Sequence, residues 1–356
     1  MAILPVFGQS RVAKLPRFRH YAQSYLTDRV APISISLDSA KELAKLDMAA
    51  VDYLIRQSLQ SDVLLVSQVS EYIVTSGGKR LRPLVVLLAA RALGYTGPHH
   101  IHAAAIVEFI HTATLLHDDV VDHSERRRGR DTANTVFGNQ ASVLVGDFLY
   151  SRAFQMMVDI GRMEVMRILA DATNTIAAGE VMQLMNVHDP DLGEQDYRMV
   201  IYRKTARLFE AGAQIAAVLA NRDTADIEAM ITYGQQLGTA FQLVDDALDY
   251  GASATELGKN LGDDLAEGKT TLPLIYAMSK AGDADKAMIR EAIRVGGLEK
   301  LHQIQQVIES TGALEYTAAR AKEAADAAID ALSDIPESEH KQALIDIAEF
   351  AVSRRS

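Results

Sequence analysis

Two aspartate triplets with the same spacing lie in stretches of sequence that are otherwise apolar. The segments are DDVVD and DDALD, and their carboxylates belong to Asp118, Asp119 and Asp122 and to Asp245, Asp246 and Asp249. Because residues four positions apart share one face of an α-helix, each triplet should present two carboxylates to the same side. Carboxylates that cluster near a core repel one another and lose hydration unless a cation compensates them. The fold must therefore bring positive charge to both helices.

The remainder of the sequence favours helices. Runs such as RILADATNTIAAGEVMQLM and YTAARAKEAADAAIDAL are rich in strong helix formers and show little β-branched alternation. The chain has 356 residues, of which 48% are hydrophobic, so it can bury a large core. We therefore predict an all-α fold, with an N-terminal extension at residues 1–35 and a single helical domain at residues 36–356.

Charge and composition exclude several classes of partner and binding site and indicate where the protein is located. A net charge of -11 without a basic stripe argues against nucleic acid as a partner. The absence of cysteine excludes disulfides and thiolate metal sites and suits a reducing compartment, and no apolar run is as long as a transmembrane helix. Residues 1–29 are basic, with a single Asp. We favour a bacterial N-terminal extension and a cytoplasmic location; the alternative is a transit segment that leads to the mitochondrial matrix.

The aspartates predict a bound metal ion. Oxygen ligands without cysteine suit a hard cation, Mg²⁺, with Mn²⁺ as a substitute. Since Mg²⁺ usually takes one or two protein carboxylates plus substrate phosphates, two facing aspartate pairs predict a bound polyphosphate. One triplet alone would also suit an ordinary helix surface, but two triplets in apolar helices argue against that alternative. Six histidines lie between residues 99 and 123, yet zinc is disfavoured because there is no HExxH motif.

Several cationic side chains have the chemistry to bind the phosphates. In GGKRLRP, two glycines leave backbone N–H groups open to an anion where a helix should begin. The arginines after the first triplet have the planar geometry that matches phosphate oxygens. His111 lies two helical turns before Asp118 on the same face and has an N–H to donate. Alone, GGKRLRP would equally suit a helix start with surface cations, and any one of the later lysines would more often be an ordinary surface residue. The candidate ligands are Lys79, Arg82, His111, Arg127, Arg128, Lys204, Lys259 and Lys269.

In combination, these motifs resemble the long-chain trans-polyprenyl diphosphate synthases of the polyprenyl synthetase family, of the octaprenyl, solanesyl and decaprenyl type. The resemblance runs from about residue 40 to the C-terminus and rests on GGKRLRP, DDVVDHSERRRG, FGNQASVLVGDFLYSRAFQ, KTARLFEAGA, GTAFQLVDDALDY and LGKNLGDDLAEGKTTLPL. It implies an isoprenoid synthase helical bundle around a deep central cavity, with the two aspartate helices facing each other at its mouth. It also implies a homodimer.

The implied reaction is head-to-tail (1'-4) addition of isopentenyl diphosphate to an allylic diphosphate such as farnesyl diphosphate. Mg²⁺ assists ionisation of the allylic substrate, condensation and elimination follow, and the all-trans product reaches about C40 to C50, for the side chain of a quinone such as ubiquinone. Such an oily product also suggests peripheral contact with a membrane for its release. The basic residues would be shared between the two diphosphates.

By position in the matching motifs, the resemblance assigns roles to individual residues. The allylic diphosphate is held through Mg²⁺ by Asp118, Asp122 and Asp245, and by Arg127, Lys204 and Lys259. Isopentenyl diphosphate meets Lys79, Arg82, His111 and Arg128, although short-chain relatives often carry Gln at the position of His111. Lys269 is a further diphosphate ligand. Lys204, Thr205 and Gln242 are the predicted catalytic residues. The oxygens of Thr205 and Gln242 would lie beside the path of the carbocation and stabilise it; the alternative for these two is to cap or bridge helices.

The helix that leads into Asp118 should set the length of the product. A helix rises by about 1.5 Å per residue, so residues before Asp118 would line successive depths of the cavity. In short-chain relatives, the positions four and five residues before the first Asp are typically bulky aromatics, whereas here they are Thr114 and Ala113. We therefore expect a deep cavity for a long tail. The alternative is that small residues allow close helix packing.

Three other functions fit the sequence less well. A class I terpene cyclase needs no second diphosphate site, and its usual second metal motif of Asn, Ser and Glu is absent here. A head-to-head squalene or phytoene synthase lacks the basic GGKRLRP site. A noncatalytic partner subunit typically loses one aspartate motif, and both are intact in this sequence.

Overall fold

Helices follow one another along nearly the whole described chain, as the sequence predicts. The computed structural model describes residues 37–75, 77–127, 129–251 and 261–354, so the extension predicted at residues 1–35 lies outside it. The first helices are α1 (Asp38–Leu43), α2 (Lys45–Ser58), α3 (Leu64–Thr75), α4 (Leu81–Ala92), α5 (His99–Val121), α6 (Ala133–Phe137), α7 (Asn139–Ile160) and α8 (Met163–Asn186).

The later helices begin with α9 (Glu194–Ile201), which continues into a π-helical turn (Tyr202–Ala206) and α10 (Arg207–Leu219). They continue with α11 (Thr224–Gly251), α12 (Asp263–Ala266), α13 (Leu272–Lys280), α14 (Asp283–Val295), α15 (Leu301–Ser310), α16 (Ala313–Ala331) and α17 (Glu339–Ser353). The all-α prediction is confirmed.

A short hairpin is a part of the described chain that the sequence did not predict. Strands β1 (Arg126–Arg127) and β2 (Arg130–Asp131) pair antiparallel, with Arg126 opposite Asp131. The turn between them is possible because Gly129 has a positive φ of 76°, which glycine adopts at little cost. The hairpin follows α5 directly and returns Arg127 to the end of that helix.

The central helices α4 and α10 are buried at most of their positions and contribute to two clusters of buried side chains. One cluster surrounds α5 and includes parts of α2, α7 and α8. The other contains parts of α1, α11, α16 and α17. Since α10 packs against both α5 and α11, the turn that precedes it lies between the two helices that carry the aspartate triplets.

Two glycines let α11 approach this turn closely. A Cβ atom on Gly238 would lie 2.5 Å from Cα of Ala206, and one on Gly234 would lie 2.5 Å from the carbonyl oxygen of Phe209. Both distances are shorter than real Cβ contacts, so a side chain at either position would push α11 away. Among the described residues, no helix is both long enough and apolar enough to span a membrane.

Candidate active site

The first aspartate triplet lies at the C-terminal end of α5, where the helix dipole makes additional negative charge unfavourable. Each of its three carboxylates pairs with a cation from another part of the chain. The N–O distances are 3.6 Å for Asp118 and Lys204, 2.7 Å for Asp119 and Arg127, and 2.8 Å for Asp122 and Lys269. The fold therefore supplies the positive charge that this triplet requires.

The three aspartates of this triplet are not equivalent. The side chain of Asp119 is 1% exposed, whereas those of Asp118 and Asp122 are 14% and 16% exposed and keep an open edge. Burial raises the pKa of Asp119, although Arg127 opposes the shift. The outer two carboxylates thus remain accessible to a ligand, while Asp119 holds the guanidinium of Arg127. A metal-binding role for Asp119 stays a prediction.

Each of the two lysines at this triplet also contacts a glutamate. Lys204 Nζ is 2.6 Å from Glu180 Oε2, and Lys269 Nζ is 2.5 Å from Glu267 Oε2. Burial lowers the pKa of Lys204, but the carboxylates of Asp118 and Glu180 outweigh burial, so that the pKa is raised. The same balance raises the pKa of Lys269. Both amines therefore remain charged.

Sequence reasoning missed Glu180, although α8 offered a signal. The buried face of this helix includes Ala172, Ile176 and Gly179, and Glu180 follows Ile176 by four residues on the same face. An acidic residue on the buried face of a helix needs a partner, which here is Lys204. Burial raises the pKa of Glu180, although Lys204 opposes the shift.

A single π-helical turn connects the two aspartate helices. Lys204 and Thr205 are consecutive in this turn; Lys204 reaches Asp118 on α5, and the Thr205 hydroxyl donates a 2.8 Å hydrogen bond to Gln242 Oε1 on α11. The turn thus brings together Lys204, Thr205 and Gln242, the three residues predicted to be catalytic. π-Helical turns are rare and occur frequently at functional sites.

In the second triplet, the middle aspartate is again the most deeply buried. Asp246 accepts a 2.5 Å hydrogen bond from the Tyr197 hydroxyl and a 2.8 Å hydrogen bond from Gln242 Nε2. Burial raises its pKa. Asp246 thereby orients the amide of Gln242, whose oxygen accepts from Thr205. Its predicted metal role remains a prediction, as it does for Asp119.

The outer aspartates of the second triplet have different surroundings. Asp245 is 45% exposed and lies 2.6 Å from Nη1 of Arg354, a residue near the C-terminus that sequence reasoning did not identify. The Arg354 guanidinium also stacks on Phe241, 3.8 Å from the ring centroid. Asp249 is buried and accepts a 3.2 Å hydrogen bond from the backbone N–H of Asp264. Only Asp245 therefore presents an open carboxylate on this side.

Two residues predicted for isopentenyl diphosphate lie side by side. Arg82 Nη1 is 3.2 Å from His111 Nε2, and since arginine can only donate, His111 accepts through Nε2. The Arg82 guanidinium also lies over Phe209, 4.6 Å from the ring centroid. As expected, a helix begins within GGKRLRP, at Leu81. Lys79 lies near α17, with Nζ 5.7 Å from the ring centroid of Phe350.

Two of the predicted ligands fall outside the described residues. They are Arg128, which follows Arg127 in the sequence, and Lys259, which lies in the segment between residues 251 and 261 of the sequence. Their predicted contacts with the two diphosphates therefore stay predictions. The described neighbours of this segment, Asp249 and Asp264, lie at the second triplet.

A crevice beside α5 encloses about 550 Å³, including the solvent at its mouth. Its walls include His111, Thr112, Leu115 and Asp119 from α5, together with residues of α3. Neither Ala113 nor Thr114 lines this crevice, because each residue turns a helix by about 100°. Ala113 is fully buried in the core, and Thr114 is half-buried and donates a hydrogen bond to the carbonyl of His111. The role of Ala113 and Thr114 in product length stays a prediction.

Comparisons with known proteins agree over nearly the whole described chain. The polyprenyl synthetase family profile matches residues 63–311. Octaprenyl diphosphate synthase of Escherichia coli (strain K12) is 53% identical over 321 residues, which cover 90% of this chain and 99% of that protein. The all-trans-nonaprenyl-diphosphate synthase (geranyl-diphosphate specific) of Rhodobacter capsulatus is 46% identical over 309 residues, or 86% of this chain and 95% of that protein.

A solved structure is similar in its fold. The crystal structure of a polyprenyl synthase from Caulobacter crescentus CB15, complexed with calcium and isoprenyl diphosphate, superposes with a TM-score of 0.87 at 47% identity. The match covers 90% of this chain and 98% of that one.

Proposed function

The chain belongs to the polyprenyl synthetase family, and we propose that it lengthens an allylic diphosphate by repeated head-to-tail addition of isopentenyl diphosphate. It is a prenyltransferase that makes long all-trans chains, as its relatives do. The observation that best supports this reaction is the π-helical turn, which links Asp118 on α5 through Lys204 and Thr205 to Gln242 on α11. The residues that would bind diphosphate and the oxygens that would stabilise the cation are thus neighbours.

The open carboxylates fit Mg²⁺. Asp118 and Asp122 on one helix and Asp245 on the other provide oxygen ligands, and none of the three is fully buried. Within the described residues, no three His, Asp or Glu side chains form a metal site by themselves. This arrangement suits an ion that takes few protein ligands and completes its shell with water and substrate phosphates. When bound, Mg²⁺ would neutralise charge that develops on the diphosphate leaving group.

Different side chains of the protein would bind the two diphosphates and stabilise the carbocation. Lys204, Lys269 and Arg127 provide positive charge for the allylic diphosphate, so that its C–O bond breaks heterolytically and leaves an allylic carbocation. The oxygens of Thr205 and Gln242 lie beside Lys204 and stabilise that cation. The alkene of isopentenyl diphosphate, held near Arg82 and His111, then attacks C1 of the cation.

Loss of a proton from the condensed product restores an alkene. The departed diphosphate is the base in this proposal, because no His or Glu in the motifs is an evident dedicated base. Apolar walls around the tail exclude water, which would otherwise convert the carbocation to an alcohol. Each cycle lengthens the chain by one isoprene unit, to about C40 to C50 in the octaprenyl to decaprenyl range.

A homodimer fits the exposed apolar surface of α7 and α8. Residues with more than half of their surface exposed there include Leu144, Val158, Val181, Leu184 and Met185. Apolar residues that remain open on a monomer favour burial against a second copy. The bacterial relatives favour a cytoplasmic location, and the oily product, destined for a quinone side chain, favours peripheral contact with a membrane.

The test is to incubate the purified protein with Mg²⁺, farnesyl diphosphate and labelled isopentenyl diphosphate, and to size the product. We expect a ladder that ends at a long polyprenyl diphosphate and disappears when a chelator removes the metal. A product of farnesyl diphosphate alone, with no incorporation of label, would instead indicate a terpene cyclase. No incorporation under any condition would favour a noncatalytic subunit.

A further inference from the structure

Two glutamates outside the aspartate triplets each form an ion pair with one of the two lysines of the site. Each lysine lies between one open aspartate and one glutamate, and all six side chains are less than one third exposed. The first triad is Asp118, Lys204 and Glu180, and the second triad is Asp122, Lys269 and Glu267. The two triads involve four separate segments of chain around the end of α5.

Within each triad, the lysine is closer to its glutamate. Lys204 Nζ lies 2.6 Å from Glu180 but 3.6 Å from Asp118. Lys269 Nζ lies 2.5 Å from Glu267 and 2.8 Å from Asp122. The aspartates are thus the more distant partners, and each ammonium keeps a carboxylate within hydrogen-bond distance if its aspartate turns to another ligand.

A metal ion that takes Asp118 and Asp122 competes with the lysines for these carboxylates. A partly buried ammonium without a partner is costly, so a lysine with no other anion nearby would resist the exchange. Glu180 and Glu267 remove that obstacle. On the basis of the function proposed above, we infer that Glu180 and Glu267 are positioning residues, which retain Lys204 and Lys269 beside the metal site after the metal has taken the aspartates.

The backbone around Glu180 supports this role. A Cβ atom on the preceding residue, Gly179, would lie 2.7 Å from Cβ of Arg203 and 3.1 Å from the backbone nitrogen of Lys204. Only glycine therefore allows α8 to come this close to the π-helical turn. The second oxygen of Glu180, Oε1, is buried and has no hydrogen-bond partner among the described residues. Glu180 is thus committed to Lys204 alone.

The experiment measures binding of Mn²⁺ to the metal-free protein by electron paramagnetic resonance, without substrate. In Glu180→Gln, Lys204 has only Asp118 as an anionic partner, so we expect the Mn²⁺ dissociation constant to rise about threefold or more. Adding Lys204→Met to this variant frees Asp118 and should restore Mn²⁺ binding to at least the wild-type level. Glu267→Gln and Lys269→Met should behave in the same way. The melting temperature of Glu180→Gln should not fall.

Rescue by the second substitution separates this role from a general loss of negative charge or of structure. If Glu180→Gln binds Mn²⁺ as the wild type does, or if Lys204→Met fails to restore binding, the positioning role is wrong while the proposed metal site stands. If the wild type binds no Mn²⁺, the proposed metal site itself fails and the inference with it. The matched control is Glu164→Gln, on the same helix about 24 Å away, which should leave Mn²⁺ binding unchanged.

Discussion

Lys269 donates a 2.8 Å hydrogen bond to Asp122, although 147 residues of chain separate them. This contact joins the loop after α12 to the C-terminal end of α5, where the first triplet needs positive charge. Lys204 makes the equivalent contact with Asp118 from the π-helical turn. Two of the cations expected to bind diphosphate therefore already lie against carboxylates expected to bind the metal.

Loss of an open aspartate should abolish most of the activity. In Asp118→Ala or Asp245→Ala, turnover should fall by about 10²–10³-fold or more, because charge that develops on the leaving group loses a stabilising metal contact. Product formation at saturating Mg²⁺ and the melting temperature should be measured together. The matched control is Asp285→Ala, an exposed position on α14. Near-normal turnover of either variant would refute the metal assignment.

The pair formed by Arg82 and His111 should affect one substrate only. In Arg82→Ala, the KM for isopentenyl diphosphate should rise by about tenfold, with little change in the KM for the allylic substrate. His111→Ala should act in the same direction but less strongly, because its Nε2 only accepts from Arg82. Steady-state kinetics with each substrate varied in turn make the measurement. A larger rise in the KM for the allylic substrate would show that Arg82 and His111 belong to the allylic diphosphate site instead.

Two further residues, predicted from the sequence and lying outside the described residues, should also each affect one substrate only. Arg128→Ala should mainly raise the KM for isopentenyl diphosphate, and Lys259→Ala the KM for the allylic diphosphate. The expected reason is that each removes a cation from one diphosphate and leaves the other diphosphate in place. Indistinguishable effects on the two substrates would contradict the assignment.

A bulky residue below the metal site should shorten the product. Thr114 is half-buried on the same side of α5 as Asp118, so Thr114→Phe should place a ring across the path of the tail and stop growth at about C15 to C20. Ala113→Phe should have the same effect but also cost about 1–3 kcal/mol by overpacking the core, since Ala113 is fully buried. Product sizing and thermal unfolding measure the two effects.

Thr112→Phe is the matched control for product length, because Thr112 lines the crevice beside α3 instead. We expect it to leave the chain length unchanged. If Thr114→Phe made full-length product and Thr112→Phe made short product, the result would show that the tail grows into that crevice.

Acid should destabilise the fold through His340, a residue outside the two aspartate triplets. Burial, assisted by Arg91, lowers the pKa of His340 below its ordinary value of 6.5. The unfolded chain therefore binds more protons than the folded chain just below pH 6.5, so stability falls as the pH decreases through this range. The melting temperature of His340→Gln should depend less on pH there than that of the wild type. Parallel curves for the two proteins would contradict the shift.

Much of the site was predictable because its chemistry is local. The spacing of Asp118 and Asp122 places both on one face of a helix wherever that helix packs, and the adjacent Lys204 and Thr205 must lie close together in any fold. Helix-forming composition likewise predicts the all-α architecture, since propensity acts within single segments. The short hairpin after α5 was missed because two-residue strands leave no periodic pattern.

The sequence by itself therefore determined the fold class, the two carboxylate pairs and the kinds of cation that serve them. Only the tertiary structure decided which partner each group has: Asp119 is buried against Arg127, Asp246 is held by Tyr197, and Glu180 stands behind Lys204. Periodicity along a helix does not specify which other helix will pack on a given face. That choice depends on contacts between distant segments, such as the close approach of α8 to the π-helical turn that Gly179 allows.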